Sequence, residues 1–154
     1  MSALEDRLEQ EGISIPEVRE PVGSYIPATR SGNLVFCSGQ GPFEEGEPLY
    51  TGTVGGDITV EEGYEAARIC ALNCLAAVKS IVGSLEKVQQ VVKVRGFVNG
   101  APGFDKQPEV INGASELLQQ VFGEKGKHAR SALGTCNLPR NIPAEVEMIV
   151  EVED

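Results

Sequence analysis

Apolar positions change their spacing several times along the chain, and each change marks an expected element. Residues 2–11 carry Leu4 and Leu8 one turn apart among charges, the mark of a short amphipathic helix. A stretch containing Pro and Gly follows to about Ser24. "YIPATRSGNLVFCSGQGP" then predicts a hairpin that turns at Ser31-Gly32, with its second strand at Asn33–Ser38. Glycines at 41, 46, 52, 55 and 56 predict a loop from Pro42 to Asp57, with one short strand around Leu49–Thr53. Thr59 and Glu62 form a T-x-x-E capping box. Behind it Tyr64, Ala67, Ala71, Leu75, Val78 and Val82 share one helical face, and Gly83 supplies the stop. "KVQQVVKVRGFV" is expected as a strand. A second long helix is expected over Gln107–Phe122, with Pro108 in its first turn and Gly123 at its end. Strands at Arg130–Cys136 and Ala144–Glu153 close the chain.

This order predicts an α+β fold, with two helices packed on one face of a mixed β-sheet, and one domain over 1–154. Residues 1–20 form an N-terminal helix and extension. In the last strand Val146, Met148, Val150 and Val152 share the face assigned to the helices, and Glu145, Glu147, Ile149 and Glu151 share the other. In the preceding long strand Lys93, Arg95 and Phe97 alternate with Val92, Val94 and Val98. The second sheet face is thus part polar and part apolar, as suits packing on another subunit.

Charge narrows the partners. Thirteen basic residues against 23 acidic ones leave −10, a surface that repels nucleic acid, and the chain has no Trp and few other aromatics for base stacking. A small anion would need a locally positive pocket. No stretch is apolar enough for a membrane span, and "MSALEDRLEQEG" is charged where a secretory signal is apolar, so the expected location is cytoplasmic with no membrane partner. Cys37, Cys70, Cys74, Cys136 and the single His128 lack the paired spacing of a zinc site; buried free thiols and no metal are expected.

Several chemistries lack their residues. "GEKGKH" has neither the glycine spacing nor the Ser/Thr of a phosphate loop, and "SGQGP" is not a dinucleotide fingerprint. One histidine, expected as a partly exposed loop residue, leaves little for a nucleophile–base triad. Arg130 opens a strand behind the "GEKGKH" loop, where its fork would take a carboxylate bidentately or pair structurally with Glu145 or Glu147. Glu145 at a strand start is ordinarily solvated; half-buried beside a ligand it would orient or activate water. Ser38-Gly39 suits either close backbone approach to a ligand or a plain strand exit. Asn112 on the second helix is equally a partner for its own preceding turn, and Tyr25 equally a core residue.

The run "GSYIPATRSGNLVFCSGQGP", "VKVRGFV", the "ARS" at 129–131 and the "LP(x)₅EVE" at 138–147 resemble the RidA/YjgF family of enamine/imine deaminases, in matching order from about Pro21 to Val152. That resemblance implies a chorismate-mutase-like subunit in a homotrimer, with active sites between subunits. It implies hydrolysis of reactive 2-imino acids, which pyridoxal-phosphate enzymes release from serine or threonine, to 2-oxo acids and ammonia, without a cofactor. By the same resemblance, Arg130 grips the substrate carboxylate and Glu145 helps place the attacking water. Tyr25 and Ser38-Gly39 match pocket positions near the imine, Phe97 also binds substrate, and Asn112 matches a helix asparagine beside the site. Ala132 stands where many members carry cysteine, a position used mainly through its backbone carbonyl. The acidic N-terminal helix and the long "PFEEGEPLYTGTVGGD" loop mark a divergent branch. The alternatives are a non-catalytic carboxylate binder using the same Arg130 pocket and, third, a ribonuclease, which fits poorly with the charge and the single histidine.

Overall fold

The computed structural model describes residues 2–154, so Met1 of the expected extension lies outside it. Helix α1 (Ala3–Gln10) starts where the Ser2 hydroxyl accepts the Glu5 N–H at 3.2 Å. Leu8 and, beyond the helix, Ile13 enter the main core. Lys79 pairs with Glu5 at 2.9 Å, and Arg7 donates to the Val121 carbonyl at 2.7 Å, so α1 is tied to the ends of both long helices.

Strands β1 (Ala28–Ser31) and β2 (Leu34–Gln40) form the expected hairpin. Its turn residues are Gly32 and Asn33, one position later than expected, with Gly32 in the left-handed region at φ 61°. β2 also runs past Ser38, because a register shift between Cys37 and Gln40 carries it on. No strand forms at Leu49–Thr53. A small hairpin of β3 (Phe43–Glu44) and β4 (Glu47–Pro48) forms earlier, turning through Glu45 at φ 52° and Gly46 at φ 84°. Two successive positive φ angles match the right-handed twist of a two-residue turn, and Glu-Gly is a weaker signal for it than Asn-Gly.

Helix α2 (Val60–Val82) carries the full capping box: Glu62 N–H donates to Thr59 Oγ1 at 3.1 Å, and Thr59 N–H donates to Glu62 Oε1 at 2.9 Å. Strand β5 (Val88–Asn99), helix α3 (Gln107–Phe122), β6 (Ala129–Thr135) and β7 (Ala144–Val152) follow. The sheet order is β1-β2-β7-β5-β6, with only β5 and β6 parallel, since α3 is the crossover that joins them. α2 and α3 pack on one face, and Val146, Met148, Val150 and Val152 are buried beneath them as the alternation predicts.

Two expected details differ. The alternation predicts Val92 on the core face with Val94 and Val98, yet it is exposed and Val91 is buried. A register shift between Val91 and Lys93 puts an extra residue into β5, which reverses the alternation below it. Cys37, Cys70 and Cys74 are buried free thiols, whereas Cys136 is exposed beyond the end of β6. Among the described residues no three His, Cys, Asp or Glu side chains gather as a metal site, and no helix is long and apolar enough to cross a membrane.

Candidate active site

The expected site residues fall into two groups on opposite faces of the sheet. Arg130 lies opposite Val94 in the parallel β5–β6 ladder, so its side chain shares the helix-covered face. There Nη1 donates to Asn112 Oδ1 at 2.8 Å and to Ser115 Oγ at 3.2 Å, both on α3. Those bonds use both hydrogens of Nη1. Among the described residues no protein acceptor reaches Nε or Nη2, so one two-pronged edge of the fork is open. Arg130 therefore does not pair with Glu145 or Glu147; Glu147 takes Arg95 instead, at 3.3 Å on the outer face. Ala132, two residues on and partly buried, lies opposite Gly96 on the same side as Arg130.

Two further residues belong to this group. Ser115 is 6% exposed, and its Oγ lies 2.9 Å from His128 Nε2, while His128 Nδ1 lies 2.6 Å from the Gly126 carbonyl. His128 is thus the partly exposed loop residue expected, and both of its ring nitrogens are hydrogen-bonded. Burial lowers its pKa, the Gly126 carbonyl acts in the opposite direction, and the Arg130 charge adds to the lowering. Sequence reasoning missed Ser115, although it lies three residues from Asn112, hence one turn away on the same flank of the apolar stripe.

The second group surrounds Glu145. This residue pairs with Phe97 in the β5–β7 ladder and alternates with buried Val146, so it leaves the sheet on the outer face. A Cβ on Gly39 would stand 2.7 Å from Glu145 Oε2, so the glycine makes room for the carboxylate. Partial burial, then the neighbouring Glu147 carboxylate, raise the Glu145 pKa above its ordinary value. Gly39 and Tyr25 line one small hollow together with Arg19 and Val22. Tyr25 is 51% exposed there, which removes its reading as a core residue. The Ser38 hydroxyl donates to the Ile26 carbonyl at 2.6 Å and so fixes the Tyr25 loop against β2. Phe97 is half-buried beside Glu145.

One chain therefore brings together Arg130, Asn112 and Ala132, and separately Tyr25, Ser38, Gly39, Phe97 and Glu145. It does not bring the cation to the carboxylate.

Comparison with known proteins fits this arrangement to a family. The family described as "YjgF/chorismate mutase-like, putative endoribonuclease" matches residues 5–152. Protein TCP17 of Trypanosoma cruzi is 40% identical over 148 residues, 96% of this chain and 92% of that one. The 2-iminobutanoate/2-iminopropanoate deaminase of Dermatophagoides farinae is 31% identical over 142 residues, covering 92% of this chain and 95% of its own. The crystal structure of Atu1372 from Agrobacterium tumefaciens, of unknown function, superposes with a TM-score of 0.91 at 44% identity, over 97% of this chain and 92% of that one. With a mixed sheet, its helices and almost the whole length matched, this chain belongs to the YjgF/RidA family.

Proposed function

We propose that this protein hydrolyses reactive 2-imino acids to 2-oxo acids and ammonia, in sites that two neighbouring copies of a homotrimer complete. The carrying observation is the Arg130 fork, tied at Nη1 and open along its Nε–Nη2 edge. That edge offers two parallel N–H donors, the shape that receives a carboxylate. It also supplies the local positive charge that a chain of net charge −10 needs to collect a small anion.

The imine carbon is already electrophilic, so no nucleophilic side chain is required. Water adds to it, and the Glu145 carboxylate takes a proton from that water and returns it to the departing nitrogen. The same carboxylate then carries the proton of the new hydroxyl to that nitrogen as the carbon–nitrogen bond breaks and the C=O bond forms, leaving the 2-oxo acid and ammonia. A carboxyl whose pKa is raised by burial is better matched to both halves of this exchange than a fully solvated one. The opposite facing of Arg130 and Glu145 argues for a second copy, since one chain's anchor cannot serve its own carboxylate. Exposed Phe36 and Leu133 beside half-buried Phe97 and Ile149 give the outer sheet face the apolar content of a subunit contact. The similar D. farinae deaminase supports the same chemistry.

A dehydratase acting on serine or threonine would generate the imine in place, and oxo-acid release would be followed with wild type and with Arg130→Ala. Wild type is expected to accelerate release, and the variant to lose that acceleration. A folded wild type that accelerates nothing would remove the enzymatic reading and favour a non-catalytic carboxylate binder.

A further inference from the structure

The polar chain behind Arg130 is continuous, and its hydrogens can be assigned from the chemistry of its ends. The Gly126 carbonyl can only accept, so His128 Nδ1 carries a hydrogen and donates to it at 2.6 Å. In the neutral ring Nε2 is then an acceptor, facing Ser115 Oγ at 2.9 Å. The Ser115 hydroxyl donates to that nitrogen, which turns an oxygen lone pair towards Arg130 Nη1 at 3.2 Å. Asn112 Oδ1 takes the other Nη1 hydrogen at 2.8 Å. We propose that Ser115 and neutral His128 are positioning residues, forming a relay that holds the Arg130 guanidinium with its Nε–Nη2 edge presented to the substrate carboxylate. The proposal rests on the carboxylate-anchoring role given to Arg130 above.

The surroundings isolate this relay. Ser115 is nearly fully buried on α3, so its hydroxyl has no bulk water to fall back on. Gln90 on β5 donates to the Lys127 carbonyl, which pins the segment that carries His128. The charged groups on neighbouring elements are otherwise engaged or distant in direction. Glu124 and Lys127 in the preceding turn pair at 3.0 Å, Glu116 on α3 accepts from Tyr64, Lys125 is exposed, and Lys93 on β5 leaves by the outer face. Among the described residues, Arg130 is the charge that bears on the ring.

Protonation of His128 would convert its Nε2 from acceptor to donor. The Ser115 hydroxyl hydrogen would lose its partner, and a second cation would stand behind the guanidinium. The neutral relay is therefore complete above the ordinary imidazole pKa of about 6.5, and fails as pH falls through the lower value His128 holds in the fold.

The chain has one histidine, so its two ring nitrogens give a single, self-assigned pair of resonances as the imidazole nitrogen-15 signal. The experiment titrates that signal in the ligand-free protein and, over the same pH range, measures 2-oxobutanoate binding by calorimetry for wild type, Ser115→Ala and His128→Gln. Wild type is expected to show the Nδ1–H tautomer and an affinity that falls with the midpoint of the imidazole titration. Ser115→Ala should keep the Nδ1–H tautomer, which the Gly126 carbonyl sets, and bind about tenfold more weakly at neutral pH, the scale of one hydrogen bond to a charged group. His128→Gln should abolish the pH step. Equal affinity of Ser115→Ala and wild type, or a wild-type affinity that rises or stays level as His128 protonates, would overturn the relay. A wild type that shows the expected tautomer yet binds no 2-oxobutanoate at any pH would overturn the imino-acid reading of the site instead.

Discussion

Glu145, the residue proposed to handle the water's protons, works against folding at neutral pH. Its pKa is raised by burial, so the protonated form favours the fold. That contribution is present below the ordinary carboxylate pKa and is lost as pH rises through the raised value. At neutral pH the ionised carboxylate opposes folding. Glu145→Gln is accordingly expected to raise Tm at neutral pH and to leave it unchanged in acid below about pH 4, where both forms are uncharged. Under the proposed mechanism the same variant loses turnover but still binds 2-oxobutanoate, because Arg130 is untouched. Thermal melts at two pH values and one calorimetric titration check both halves. A lower Tm at neutral pH would mean that the carboxylate makes stabilising contacts rather than suffering burial.

Packing between elements sets where the Arg130 group stands. A Cβ on Gly113 would fall on the Tyr64 carbonyl, so α2 and α3 approach at this glycine backbone to backbone, one residue from Asn112. Alanine is favoured over glycine in a helix by about 1 kcal/mol. Overpacking costs about 1–3 kcal/mol, and here the obstacle is main chain that cannot rotate aside. The clash should win, and Gly113→Ala is expected to lower Tm by roughly 2–8 °C. It should also weaken carboxylate binding, because displacing α3 moves both Asn112 and Ser115. An unchanged melting curve would show that the helices can part without penalty. The bulge in β2 works by the same logic from the other side: it sets the side-chain-free Gly39 against Glu145 while Gln40 returns to pairing with Val146.

The arrangement of the whole molecule makes complementation possible. If each site takes Arg130 from one copy and Glu145 from the next, Arg130→Ala and Glu145→Gln chains are inactive alone. Co-refolded mixtures should regain activity in those sites that receive both native residues. Separately refolded proteins mixed afterwards should not, unless subunits exchange. Failure of a co-refolded mixture whose mass in light scattering is that of a trimer would show that the two residues do not meet across an interface.

Much of the protein was legible without coordinates. The T-x-x-E box located the start of α2, and the valine alternation identified the buried face of β7, because capping and burial are governed by residues close in sequence. Residue type alone left Arg130 open between a carboxylate fork and a structural pair with Glu145 or Glu147, and the fold removes that pair. Local pattern failed at Val92, where a bulge reversed the alternation, and at the Glu45-Gly46 turn, where a weak sequence signal met strong twist preferences. It also missed the Ser115–His128 hydrogen bond, which joins α3 to the segment before β6. The β7 alternation already turned Glu145 away from the helices, and only the tertiary structure decided that Arg130, on β6, faces them. The β5–β6 ladder set that outcome, and strand pairing is a long-range choice that neither segment specifies alone.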